Sequence, residues 1–372
     1  MTTAPPVLEL ADVKVRRGGV EVLDVPSFRL DAEEIVALIG PNGCGKTTLL
    51  LTTMGLIPRS AGRVLFRGAE IASDRAAMEC RRRIAMILQE PLLFDTTVYE
   101  NVAAGLRIRG LARTDVRKRV TACLERFALA PLAQRSARKL SGGEARRVSL
   151  ARAFAVEPDV VFLDEPFANL DAPTRRAIID DVERTVRDAR MAAILVTHEQ
   201  AEALRLADRI AVMDRGRIVQ SAAPSTVMND PANEFVASVL GMETIVEGVI
   251  ARRAGGQIIA AVAGKEIDAL AEGEPGDPVY CGIRPENVIL QAADPGRKTS
   301  ARNVFAARVV GVSSAGPYLR VKLDCGFPLV AHVTPESSAS LGLAEGAEVF
   351  ASFKATAIHV IRRGEAPRRR SS

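Results

Sequence analysis

Residues 35 to 47 constrain the fold of this chain more than any other stretch. Ile35-Val36-Ala37-Leu38-Ile39 is an unbroken apolar run, the pattern of a strand covered on both faces. It leads directly into Gly40-Pro41-Asn42-Gly43-Cys44-Gly45-Lys46-Thr47, and Thr48-Leu49-Leu50 follows as a helix start. A strand, a glycine-rich loop and a helix N-terminus in that order form a cradle for phosphate, because glycines let backbone amides wrap an anion. Within residues Gly40 to Thr48, Lys46 is placed for the β- and γ-phosphates and the Thr47 hydroxyl for magnesium. The expected ligands are therefore a nucleoside triphosphate and Mg2+.

More continuous apolar runs follow at Ile84 to Leu88, Val160 to Leu163 and Ala193 to Val196, separated by helix-period stretches. That alternation predicts a mostly parallel α/β sheet. Val182, Val186 and Ala189 lie at helical spacing within 180–190, and the arginine-rich stretch from Asn101 to Arg138 reads as a helical insert. After Gly241 the chain is rich in valine, isoleucine and glycine, with turn signals at Ala254-Gly255-Gly256 and Glu274-Pro275-Gly276-Asp277. Short strands so punctuated predict one small β-barrel or two related ones. Pro295-Gly296-Arg297-Lys298 is the expected link between the halves. The expected boundaries are a nucleotide-binding domain over 1–240, with a helical subdomain over about 91–153, a β-domain over 241–361, and a basic disordered tail over 362–372.

A length of 372 residues suits two or three domains. The formal charge of +5 invites a nucleic-acid partner, but five arginines against one glutamate in 362–372 supply +4 of it. The five cysteines are scattered and odd in number, which fits a reducing compartment. The N-terminus lacks a basic start with an apolar core, and no apolar run is long enough to cross a bilayer. The expectation is a cytoplasmic chain, peripheral on the inner face of the cell membrane if it serves transport.

The rest of the nucleotide site lies at strand ends. Val160-Val161-Phe162-Leu163-Asp164-Glu165 delivers two carboxylates to the C-terminal edge of the sheet, where ligands bind in open α/β folds. Asp164 is placed to orient magnesium, and Glu165 to polarise the water that attacks the γ-phosphate. Gln89 and His198 end two other strands and are expected to converge with Glu165 on one phosphate. Leu140-Ser141-Gly142-Gly143-Glu144 precedes a helix, and Ser141 with Glu144 has capping-box spacing. Free amides beside two glycines there also make an anion site.

These residues, in this order, resemble the ATPase subunit of an ATP-binding cassette (ABC) transporter. Gly40–Thr48 is the phosphate loop, Gln89 the Q-loop glutamine, Leu140–Glu144 the signature and Val160–Asp164 the Walker B strand. Glu165 is the catalytic carboxylate, Asp171 belongs to the D-loop Ala168-Asn169-Leu170-Asp171, and His198 is the switch histidine. The resemblance implies a P-loop NTPase cassette with a RecA-like core and a helical subdomain. It implies magnesium held by Thr47, Gln89 and Asp164. It also implies a homodimer in which Ser141, Gly142, Gly143 and Glu144 act in trans on the partner's ATP. Val13–Arg17 lacks the aromatic that family members use to stack adenine, and the Arg17 guanidinium is the available substitute.

Soluble relatives that act on nucleic acid carry a long insertion between phosphate loop and signature, which this chain lacks, so transport is the expected activity. Integral membrane permease subunits, and indirectly an extracytoplasmic solute-binding protein, are the implied partners, with no nucleic acid. Gly282-Ile283-Arg284-Pro285-Glu286 resembles the accessory OB-like TOBE barrel of bacterial importers. Lys298-Thr299-Ser300-Ala301-Arg302-Asn303 and Phe353-Lys354-Ala355-Thr356 resemble its molybdate-binding (Mop) version. On strands, Ser300 with Arg302 and Lys354 with Thr356 share faces, giving two cations and two hydroxyls suited to a tetrahedral dianion. Ser300, Arg302, Asn303, Lys354 and Thr356 are the candidate oxyanion residues, and molybdate or tungstate the expected solute. Sulfate, iron, sugar or polyamine import, or a purely structural barrel, are the alternatives.

Overall fold

Successive residues of four parallel strands are buried in two different cores, which explains why the apolar runs are continuous. The computed structural model describes residues 5–296 and 299–362. Its first half contains β1 (Leu8–Arg17), β2 (Val20–Leu30), β3 (Ile35–Ile39), α1 (Lys46–Thr53), β4 (Ala61–Phe66), β5 (Ala69–Glu70), α2 (Asp74–Arg83) and β6 (Ile84–Ile87). Then come α3 (Val98–Ile108), α4 (Arg113–Arg126), α5 (Gly142–Ala155), β7 (Val160–Asp164), α6 (Ala172–Asp188), β8 (Ala192–Val196), α7 (Gln200–Leu206), β9 (Arg209–Asp214) and β10 (Arg217–Ala222). A six-stranded sheet runs in the order β10-β9-β3-β8-β7-β6, and β3, β6, β7, β8 and β9 are mutually parallel. Val36, Leu38, Val160, Phe162, Ile194 and Val196 face one core, shared with α1 and the antiparallel sheet β2-β1-β4-β5. Their neighbours Ile35, Val161, Leu163, Ala193 and Leu195 face the other core, beneath the helices. Both faces are covered, so the inner positions of β3, β6, β7 and β8 are apolar and the polar Asp164 falls at a strand end.

The helical insert differs from its expected extent. α3 starts at Val98, where the Thr97 hydroxyl accepts from the Glu100 amide at 3.2 Å. Beyond Phe127, however, the chain turns through Ala128, whose φ of +54° ends the helix, and Pro131 then sits in a 3-10 turn. Residues 127–138 are therefore turns and short 3-10 segments, not α-helix. α6 is longer than the 180–190 stretch foretold, because Asp171 caps it and Pro173 fits its first turn.

The second half contains α8 (Pro224–Asn229), α9 (Glu234–Val239) and β11 (Thr244–Ala254), β12 (Gln257–Val262), β13 (Lys265–Ala269), β14 (Pro278–Ile283) and β15 (Ile289–Gln291). It continues through β16 (Asn303–Ala315), β17 (Tyr318–Asp324), β18 (Pro328–Val333), α10 (Pro335–Ser340), β19 (Glu348–Phe353) and β20 (Ile358–Arg362). Two antiparallel five-stranded sheets, β13-β12-β11-β14-β20 and β15-β19-β16-β17-β18, share one apolar core.

Two expected boundaries need correction. The chain divides at Pro224/Ser225, ahead of the 240/241 boundary. The reason is that α9 belongs to the β-unit: Ala237 packs with Met242 and Ile361, and Arg284 donates to the Leu240 carbonyl at 2.7 Å and the Met228 carbonyl at 3.2 Å. Arg362 is not tail but the last residue of β20, paired with Val279. The tail expected over 363–372, and Arg297 and Lys298 of the expected link, lie outside the described residues.

Candidate functional site

The phosphate loop joins β3 to α1, and its shape depends on missing side chains. A Cβ on Gly40 would lie 2.3 Å from the Met213 carbonyl oxygen, a contact that backbone cannot relieve. Gly45 has a φ of +110°, and a Cβ there would meet Leu23 Cδ2 at 2.9 Å. No side chain caps α1, which leaves its first amides facing the loop. Lys46 is buried and folds back over the loop, donating to the carbonyls of Gly40 at 2.8 Å and Pro41 at 2.9 Å.

Four neighbouring strands present the rest of the site at their C-terminal edge. In sheet order, β3 delivers the loop, β8 His198, β7 Asp164 and Glu165, and β6 Gln89. The Thr47 hydroxyl donates to Asp164 Oδ2 at 2.8 Å. Burial pushes the Asp164 carboxyl above the ordinary range, and the charge of Glu165 adds to this, while the Thr47 hydrogen bond and Lys46 oppose it. Two hard oxygen donors side by side, one a buried carboxylate, fit a magnesium ion. Glu165 has a φ of +45°, unusual for a non-glycine residue, and its amide is held by the Val196 carbonyl at 2.9 Å. Gln89 Nε2 donates to Glu165 Oε2 at 3.1 Å, and His198 Nδ1 lies 3.5 Å from Oε1. A cavity of about 310 Å3 lies over these groups, lined by Lys46, Thr47, Gln89, Asp164 and Glu165 together with Asn42, Gly43, Gly45 and Thr48, and His198 stands outside that lining.

Other expected residues stand apart from that cavity. Ser141 and Glu144 form a complete capping box on α5, with the Ser141 amide donating to Glu144 Oε2 at 2.7 Å. That hydrogen bond leads in holding the Glu144 carboxyl below its ordinary range. Gly142 leaves open space beside it, whereas Gly143 has Thr174 within 3.0 Å of its missing Cβ. Asp171 caps α6 by accepting from the Thr174 amide at 3.2 Å. Arg17 is exposed at the end of β1, where Val13 and Val15 are buried.

Two residues escaped the sequence reading. Arg146, on α5, is buried and donates to the carbonyls of Leu88, at 2.7 Å, and of Gln89. Glu202, also buried, accepts from the Thr197 hydroxyl at 2.5 Å beside His198. Burial pushes its carboxyl up. Neither residue type is expected inside a fold, and nothing local in the sequence marks them.

The oxyanion set needs correction. Ser300 and Arg302 precede β16, and Lys354 and Thr356 lie beyond β19, where residues 355–357 form a 3-10 turn. Strand alternation therefore does not set their facing. All four are exposed. The ladder pair Asn303–Phe353 leaves Arg302 and Lys354 at adjacent positions just outside the sheet. Asn303 itself is spent internally: buried, it accepts from the Asp268 amide at 2.8 Å and donates to the Asp268 carbonyl at 2.9 Å. It drops out of the candidate set.

Residues 23–168 match the family model described as ABC transporter, and residues 299–360 the TOBE domain. The chain belongs to the ABC transporter family, as an ATP-binding ATPase subunit of the import type. It is 40% identical over 337 residues to the molybdate/tungstate import ATP-binding protein of Pyrococcus abyssi, covering 90% of this chain and 94% of the relative. It is 34% identical over 354 residues to the sulfate/thiosulfate import ATP-binding protein of Nitrosomonas europaea, covering 92% and 94%. Among solved structures it is similar to cbiO1 from Clostridium perfringens, part of an ABC transporter complex, with a TM-score of 0.57 and 28% identity over 64% of this chain and 95% of that one. No helix among the described residues is long and apolar enough to cross a membrane.

Proposed function

We propose that this ATPase powers the import of molybdate or tungstate through a separate membrane permease, working at the inner face of the cell membrane. The observation that carries the substrate is the comparison of relatives: 40% identity with a molybdate/tungstate import protein against 34% with a sulfate/thiosulfate one. Sulfate import is the second reading, on the same comparison. A solute-binding protein delivers the oxyanion to the permease, and nucleic acid has no part.

In the proposed mechanism Lys46 and the loop amides bind the β- and γ-phosphates. Thr47 and Asp164, with Gln89 nearby, hold magnesium, which supplies charge neutralisation at the phosphates when bound. Glu165 is the general base toward the attacking water. Gln89 and His198 orient its two oxygens, as the contacts at 3.1 Å and 3.5 Å support. Ser141, Gly142 and Gly143, outside the lining of this chain's own cavity, complete the site of a second copy in a homodimer, with Asp171 nearby at the D-loop. A cavity of about 710 Å3 lined by Leu88, Leu92, Phe94 and Ile108, with Arg82 and Arg109 among its cations, is the docking surface for the permease.

Uptake measurements test the substrate. Cells expressing the permease with the wild-type chain should accumulate molybdate and tungstate, and Glu165→Gln should remove that uptake while sulfate uptake stays unchanged. Loss of sulfate uptake with molybdate uptake intact would overturn the assignment in favour of the second reading.

A further inference from the structure

Arg146 is a buried cation with no carboxylate partner among the described residues. Its guanidinium donates to two consecutive backbone carbonyls, Leu88 and Gln89, where the chain leaves β6. Burial alone pulls its basicity below the ordinary arginine range. A charge in such a place costs free energy unless it is held by hydrogen bonds, and here the two carbonyls serve. These carbonyls belong to the segment that aims the Gln89 side chain at Glu165. Arg146 itself rides on α5, the helix capped by Ser141 and Glu144.

We propose that Arg146 is a positioning residue for hydrolysis: it ties the helix headed by Ser141 to Gln89, and through Gln89 to the Glu165 carboxylate. This rests on the reading of Glu165 as general base. A forked donor fixes both peptide planes at once, so the Gln89 Cα–Cβ direction follows any rotation of α5. A change at the signature segment is thereby felt at the carboxylate through one side chain and one backbone turn. Arg146 touches neither nucleotide nor the reacting atoms, so its removal acts on turnover more than on nucleotide affinity.

The test measures kcat and KM for ATP on the full chain, with melting curves alongside. Arg146→Met keeps the length but removes both donors, and should lower kcat about ten- to a hundredfold. KM should stay within about threefold, since ground-state binding is untouched. Arg146→Lys, which can reach either carbonyl, should recover much of the loss. In a Gln89→Ala background, Arg146→Met should add less than about a further twofold, because the route through Gln89 is already cut. A folded Arg146→Met protein with normal kcat, a loss confined to KM, or equal fractional losses with and without Gln89 would each overturn the proposal. Should Arg146→Met fail to fold, Arg146→Lys and Arg146→Gln are read the same way: non-additive losses support it, and additive losses or unchanged kcat overturn it. Glu165→Gln separates the two levels. Persistent turnover there removes the base assignment; an inactive Glu165→Gln protein with additive Arg146 and Gln89 effects removes only this inference.

Discussion

The nucleotide site and the C-terminal oxyanion candidate use similar residue types in opposite settings. At the nucleotide site Lys46 and Asp164 are buried, Thr47 already donates to Asp164, and Gln89 and His198 already contact Glu165. At the C-terminal candidate, Ser300, Arg302, Lys354 and Thr356 are exposed and lie outside the strands that were expected to align them. The first arrangement has had its ordering and desolvation costs met by the fold, so a ligand gains the full strength of each contact. The second must order its side chains upon binding, so any affinity it has for an oxyanion is weaker and more sensitive to salt.

That contrast can be broken at either end. Apart from loss of the general base, the largest effect is expected from Lys46→Ala, which removes a pre-placed cation from the phosphates and should lower kcat about 10²–10³-fold. Steady-state hydrolysis checks it; a loss of less than tenfold would place the nucleotide site in the same class as the exposed one. Asn303→Ala should destabilise the protein by about 1–3 kcal/mol, because it strands both polar groups of the Asp268 backbone. Chemical denaturation measures this, and molybdate titration of the same variant should show no change beyond that from stability.

Asp164→Asn gives a smaller effect with a defined sign. Burial raises the folded-state pKa of Asp164, so its stabilising share is present at low pH and is lost as pH rises through the folded value. Without nucleotide or metal, the Asn variant should therefore melt higher than wild type at pH 8. The gap should close as the pH is lowered and Asp164 takes up its proton. A constant gap across that range would contradict the buried-carboxylate assignment. The smallest effect is expected from Arg302→Ala with Lys354→Ala, within about 0.5 kcal/mol in stability, as for exposed positions. Calorimetry on the full chain with molybdate then decides the site: the double variant should lose the binding heat, and an unchanged heat would remove both residues from it.

Much of the nucleotide site was legible because its signals are local and backed by burial. The run 35–39 and the loop that follows need each other, and Asp164 and Glu165 stand at the end of a strand whose preceding residues are all buried and apolar. Gln89 and His198 were readable as strand ends, and parallel pairing brings such ends to one edge. Arg146 was not readable, since an arginine on a helix is ordinarily solvated and its acceptors lie 57 and 58 residues away. Asn303 misled for the same reason: its partner is backbone 35 residues distant, and an amide looks alike whether it faces an anion or a peptide. The turns over 127–138 and the ends of β16 and β19 depend on positive φ at Ala128 and on where ladders stop, neither of which periodicity encodes.

The most direct measurement is the hydrolysis rate of Glu165→Gln beside its ATP affinity. Gln89 and His198 bracket this one carboxylate, and loss of a general base should lower kcat about 10²–10⁴-fold while nucleotide binding is retained. Turnover at the wild-type rate, with binding intact, would contradict the assignment of Glu165 and the convergence built around it.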